Sequence, residues 1–140
     1  MFYSGRIELF SEGEFYTQVV TGDIQSIIEK SGISNGMATI LLNHTTSGLF
    51  VLEHESGIFA DLRRFIERIF ADQKEFFHHD RGVDLNGKAH ILNALFPSSA
   101  VLPITEGHLS MGEYQDVIFM DFQDDPKSRT ISVFVYGDKA

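Results

Sequence analysis

The chain has 140 residues, 43% of them apolar, with thirteen Phe, no Trp and no Cys. This fits one folded domain over 1–140 and excludes a disulfide framework, a thiolate metal site and a cysteine nucleophile. Eleven Lys and Arg against twenty Asp and Glu give a formal charge of −9, which repels a polyphosphate backbone at long range and argues against nucleic-acid binding. No apolar run reaches the roughly 20 residues of a membrane helix, and Met1–Glu8 lacks the basic-then-apolar layout of a signal peptide. A cytoplasmic protein without membrane contact is expected.

In chain order, Gly5–Phe10 and Glu14–Val20 predict strands joined by a hairpin-like turn at Ser11-Glu12-Gly13. Ile24, Ile27 and Ile28 then fall at i, i+3 and i+4, with Gly32 placed as a left-handed C-cap, and predict a short helix. Asn35-Gly36 signals a turn, followed by the apolar strand Met37–Leu42 and a further strand at Gly48–His54. Over Gly57–Ala71 a stripe of Ile58, Phe59, Leu62, Phe65, Ile66, Ile69 and Phe70 opposes a charged face, which predicts an amphipathic helix capped by Ser56. A polar stretch, Asp72 to Asn86, leads to a helix at Gly87–Phe96, and strands follow at Ala100–Thr105, Gln115–Phe122 and Arg129–Tyr136. Strand pairs separated by helices favour an α+β fold with largely antiparallel sheet.

The histidines carry most of the candidate chemistry. His44 ends an apolar strand, where a side chain reaches either a cleft or a hydrogen-bonded loop. His78 and His79 are adjacent, so in an extended segment only one of them faces a given site; Asp80 beside them suits ring orientation or oxygen ligation. On the helical projection His90 lies opposite Leu92, off the core stripe of Ala89, Leu92, Leu95 and Phe96. It faces solvent, a cleft or another subunit. The His79-to-His90 spacing matches no metal motif by itself, although histidines from separate elements can build an open zinc-like site. Gly107 and Gly112 bracket His108–Met111 and read as backbone turns. A phosphate-cradling loop, a dinucleotide fingerprint and a serine elbow are all missing from the sequence.

The ordered motifs resemble the YjbQ-like family, often called secondary thiamine-phosphate synthase. His44-Thr45-Thr46-Ser47-Gly48-Leu49 is similar to its His-Thr-Thr-Ala-Ala-Leu, Glu53 to a later acid, His79-Asp80 to its His-Asp/Asn pair and Lys88-Ala89-His90-Ile91 to its x-Ala-His-Ile. Ser98-Ser99, Pro103 and Gly107–Gln115 follow in family order. The resemblance implies a β-sandwich-like α+β fold, a pair of largely antiparallel sheets with about three helices in the order ββαββαβββ, assembled as a homotrimer. It implies a metal or anion site on His44, His79 and His90, with His44, Glu53 and Asp80 as acid–base groups. Lys88, Arg81, His108 and Gln115 are the expected anion contacts. The implied cofactor is a divalent metal, zinc-like, or Mg²⁺ with a diphosphate. The implied reaction couples a pyrimidine diphosphate to a thiazole phosphate, so the partner is a small phosphorylated heterocycle; the alternatives are a non-catalytic metal- or ligand-binding trimer and a metal-dependent hydrolase. Leu52-Glu53-His54 replaces the family Asn-Glu-Asn, and His108, Tyr114 and Asp121 replace its Arg, Trp and Glu. Losing that Arg removes a bidentate phosphate fork, which points to a divergent substrate.

Overall fold

The computed structural model describes residues 1–82 and 84–140, and the side chain of Arg81 lies outside the described residues; the expectation placed on Arg81 lies outside them too. The elements run β1 Phe2–Ser11, β2 Thr17–Val19, α1 Thr21–Ser31, β3 Ile33–Leu42, β4 Ser47–Leu52 and α2 Ser56–Ile69. A 3₁₀ turn at Phe77–Arg81 precedes α3 Gly87–Leu95, and β5 Ser99–Thr105, β6 His108–Leu109, β7 Asp116–Asp121 and β8 Lys127–Lys139 complete the chain. The class is α+β, with three α-helices among the described residues, as the sequence predicts. A five-stranded sheet has the order β1-β8-β3-β5-β6 and a three-stranded sheet the order β2-β7-β4, every pairing antiparallel.

The two sheets share one core and the smaller sheet has a second. Between the sheets, Ile7 and Leu9 of β1 and Ile131, Val133 and Val135 of β8 pack with Ile24, Ile27 and Ile28 of α1 and with Leu49, Val117 and Phe119 of the small sheet. Its other face places Phe50, Ile118 and Met120 against Ile66 and Phe70 of α2 and Ala89 and Leu92 of α3. Strand β7 is buried on both faces, which is why its sequence is a continuous apolar run rather than an alternation. Among the described residues no helix covers the outer face of the large sheet, and Phe2, Met37, Val101, Phe134 and Tyr136 stand exposed there. Cross-strand register aligns Phe2, Tyr136, Met37 and Pro103 in one row.

Five local expectations are corrected. Asn35-Gly36, read as a turn, lies inside β3 beside a register shift in its pairing with β8. The strands around Ser11–Gly13 do not form a hairpin: β1 pairs with β8 and β2 with β7. Gly13 and Phe15 take positive φ of 122° and 64°, which turns the chain from one sheet into the other. Glu55, not Ser56, caps α2, its two carboxylate oxygens each accepting a backbone N–H at 2.8 Å, from Gly57 and Ile58. Phe65 and Ile69 of the α2 stripe are exposed, because the contact with the small sheet is narrower than the stripe. His78 and His79 lie in the 3₁₀ turn rather than in an extended segment. Gly32 does cap α1 with φ of 71°, and Gly107 does sit in the β5–β6 turn with positive φ.

Two connections cross between the sheets side by side. Residues 43–46 carry the chain from β3 to β4, and residues 122–126 carry it back from β7 to β8. The crossings are tied together: Asn43 N–H donates to the Thr130 carbonyl at 3.2 Å and Phe122 N–H to the Thr46 carbonyl at 3.1 Å. The first turn of α3 lies against this corner, and the candidate site is built there.

Candidate functional site

A cleft of about 430 Å³ opens at the crossing, lined by His44, Thr46, Asn86, His90, Lys127 and Arg129, with Asp84 and Gln123 among its other walls. Arg129 forms its base. It occupies an inward position of β8, in line with Ile131, Val133 and Val135, and is 2% exposed. Its Nε donates to Asp121 Oδ2 at 2.8 Å, and its Nη2 donates to Asp121 Oδ1 at 2.6 Å and to Thr46 Oγ1 at 3.0 Å. Asp121, wholly buried, also accepts the Gln123 N–H at 3.0 Å. A bidentate pair with every carboxylate oxygen occupied is the form in which a buried ion pair is tolerated. Lys127, on the rim, pairs with Asp125 at 3.3 Å.

The histidine protons are fixed by the backbone. Thr130 N–H donates to His44 Nε2 at 2.8 Å, and because a backbone N–H can only donate, the neutral His44 ring carries its proton on Nδ1. Burial, and then the Arg129 guanidinium, hold this imidazole below its ordinary value against a smaller opposite pull from Asp121. At neutral pH His44 is therefore an uncharged N–H donor at the cleft wall. His79 is held likewise, its Nε2 accepting the Gly87 N–H at 2.9 Å. His78 has the other tautomer: Asn86 Nδ2 faces Gln123 Oε1 at 3.5 Å, so Asn86 Oδ1 receives the His78 Nε2 proton at 3.0 Å.

A second cleft of about 710 Å³ adjoins the first, lined by Phe76, Phe77, His78, His79, His90 and Ile91, with Lys74, Glu75 and Asp80 also on its walls. His90, half-buried on α3, borders both clefts, and its ring meets that of His78 edge-on with centroids 4.6 Å apart. The off-core placement predicted for His90 thus resolves to a cleft.

The residues named from sequence divide accordingly. His44 and His90 share the first cleft, while His79 and Asp80 line only the second. The three proposed metal ligands are not gathered: among the described residues, no group of three His, Asp or Glu is placed to hold a metal ion. As arranged they do not fit one, since His44 and His79 each have one ring nitrogen occupied by a backbone N–H and the other protonated. Glu53 is exposed after β4. Lys88 is paired with Glu14 at 3.5 Å, 5.5 Å from the Phe15 ring centroid. His108 Nδ1 lies 2.9 Å from the Glu106 carbonyl, and Gln115 Oε1 accepts the Gly112 N–H at 2.7 Å. None of these four lines either cleft. Sequence reasoning missed Arg129, Lys127, Asn86, Gln123 and the part played by His78. The signal for Arg129 was present: it falls on the inward phase of Ile131, Val133 and Val135, where a charge requires a buried partner.

A family model described as UPF0047 protein YjbQ-like matches residues 6–138. A UPF0047 protein of Archaeoglobus fulgidus is 31% identical over 81% of this chain and 86% of its own. One from Methanothermobacter thermautotrophicus is 29% identical over 84% and 80%. Among solved structures, a YbjQ-like protein of unknown function from Sulfolobus solfataricus superposes with a TM-score of 0.89 at 27% identity, covering 99% of both chains. A hypothetical protein from Aeropyrum pernix gives 0.86 at 28%, covering 96% of this chain and 98% of that one.

Proposed function

We propose, for a chain that belongs to the YjbQ-like UPF0047 family, that the cleft at the sheet crossing binds the anionic group of a small molecule, with His44 and His90 as its proton-handling side chains. The observation that carries this reading is the convergence of Arg129, Lys127 and the His44 Nδ1–H on one cleft of an otherwise acidic chain. Arg129 spends Nε and Nη2 on Asp121 and Thr46, which leaves Nη1 to an incoming oxygen. A phosphate or carboxylate set there accepts from planar and point donors together, with Lys127 and Arg129 facing one acid, Asp84, on the cleft wall. The side-chain roles favour an anion over a metal for the ligand of this site.

Titration with inorganic phosphate, followed by amide NMR, tests the reading. The Thr130 and Gln123 amides shift on binding, and Lys127→Gln weakens the affinity about fivefold or more. Unmoved cleft amides up to tens of millimolar phosphate would overturn it. Coupling of a pyrimidine diphosphate to a thiazole phosphate is the first reaction to assay, and equal rates for wild type and His90→Ala would remove it. The bare outer face of the large sheet supports association of identical chains, with a homotrimer as the expected closed form.

A further inference from the structure

The larger cleft has no part in anion binding as described, yet the two clefts share their floor. Asn86 and His90 border the first, Gly87 and His90 the second, so one turn at the start of α3 serves both. A hydrogen-bonded chain also crosses between them, from His78 through Asn86 and Gln123 to Asp125. The walls differ in kind. Along the second cleft Lys74 is outnumbered by Glu75 and Asp80, which disfavours another anion, while Phe76, Phe77 and Ile91 supply apolar surface. Phe77 is 94% exposed. A phenyl ring at a cleft wall with almost no protein against it is the kind of surface a ligand covers.

We infer that this second cleft is a subsite for the uncharged, planar, apolar part of the ligand whose anionic group lies on Lys127, Arg129 and His44, with His90 at the junction. The inference rests on the anion reading above and adds a ligand class to it: one anionic group joined to one aryl body. Phe77 and Ile91 bound the ring, and Phe76 with the His79 ring, centroids 4.9 Å apart, forms the inner wall. His78 and His90 meet where the two parts of the ligand join, the position from which a proton at that bond is within reach. This makes His78, rather than His79 of the His79-Asp80 pair, the partner of His90.

Calorimetric titration of the full chain with inorganic phosphate and with phenyl phosphate tests the subsite. Burying one aryl face and edge in the cleft strengthens binding about tenfold or more over phosphate alone. Phe77→Ser combined with Ile91→Asn, both at exposed positions where folding is not at stake, brings that ratio to within about twofold of one. Phosphate binding without any advantage for phenyl phosphate overturns the subsite and leaves the anion site standing. An advantage that survives the double substitution also overturns it, since the ring then lies elsewhere. Failure of both probes to bind overturns the anion reading and the subsite together.

Discussion

Replacing Asp121 by Ala removes the only partner that neutralises Arg129 among the described residues, at a point where both side chains are essentially out of water, with exposures of 0% and 3%. Three contacts go at once: two from the guanidinium and one from the Gln123 N–H. Among the described residues the guanidinium keeps only Thr46. Stranding one member of a buried pair costs about 3–5 kcal/mol, up to half or more of the roughly 5–15 kcal/mol that holds a domain of this size together. The transition midpoint in a thermal melt then falls by about 10–20 °C. Adding Arg129→Met to the same chain removes the stranded charge and fills most of the volume, so the double variant recovers a large part of the loss. The coupling energy from the full cycle is about 2 kcal/mol or more. Urea unfolding of all four proteins at one fixed concentration measures it, with equal m-values confirming that only stability has changed. A single-variant cost below about 1 kcal/mol, or costs that simply add, would refute a buried, desolvated pair at the base of the cleft.

Two further outcomes follow from the same geometry. The His44 ring is held below its ordinary value, so its neutral form contributes stability that is fully present above the unfolded value near 6.5 and lost as pH falls through the folded value. Melting temperatures of wild type therefore drop on acidification from pH 8 towards 5, while His44→Gln shows a shallower drop over that range; parallel curves would contradict burial beside the Arg129 guanidinium as a source of pH-dependent stability. On the exposed sheet face, light scattering at low micromolar concentration yields a mass near 47 kDa, three chains of 15.8 kDa, and a mass near 16 kDa removes the trimer.

Much of the fold is legible from periodicity because the large sheet obeys it. In β8 the inward set Ile131, Val133, Val135 alternates with exposed Phe134 and Tyr136, and α2 carries its stripe in helical phase. What periodicity cannot supply is pairing. Adjacent strands β1 and β2 looked like a hairpin, yet the turn at Gly13 and Phe15 sends them to different sheets, and no local signal distinguishes a turn that reverses a chain from one that redirects it. Two-residue β6 is held by its pairing with β5 and by Gln25 of α1, whose Oε1 accepts the Leu109 N–H, contacts that no local pattern announces. At the site, His44 and His90 of the family motifs line one cleft, whereas Lys88, His108 and Gln115 line neither; the cationic groups at the cleft come from the start of β8, some forty residues beyond His90 and outside those motifs.

The position of the site follows from the topology. A chain that leaves the large sheet after β3 and returns to it before β8 must expose unpaired backbone at both crossings, and such groups need partners. Here His44 supplies one, accepting from Thr130, and Asn43 supplies another by donating its N–H to the same residue's carbonyl. Arg129 and Asp121 join β8 to β7 across the gap, and Thr46 ties the first crossing to them. The side chains that satisfy this corner, His44 and Arg129, are also the ones that line the cleft, and each is held by the bonds just named. On the proposed reading an anion would find their remaining donors already oriented, with little ordering left to be done on binding. Loosening the crossing should then weaken the ligand as well as the fold, which links the stability lost by Asp121→Ala to the phosphate affinity of the same variant.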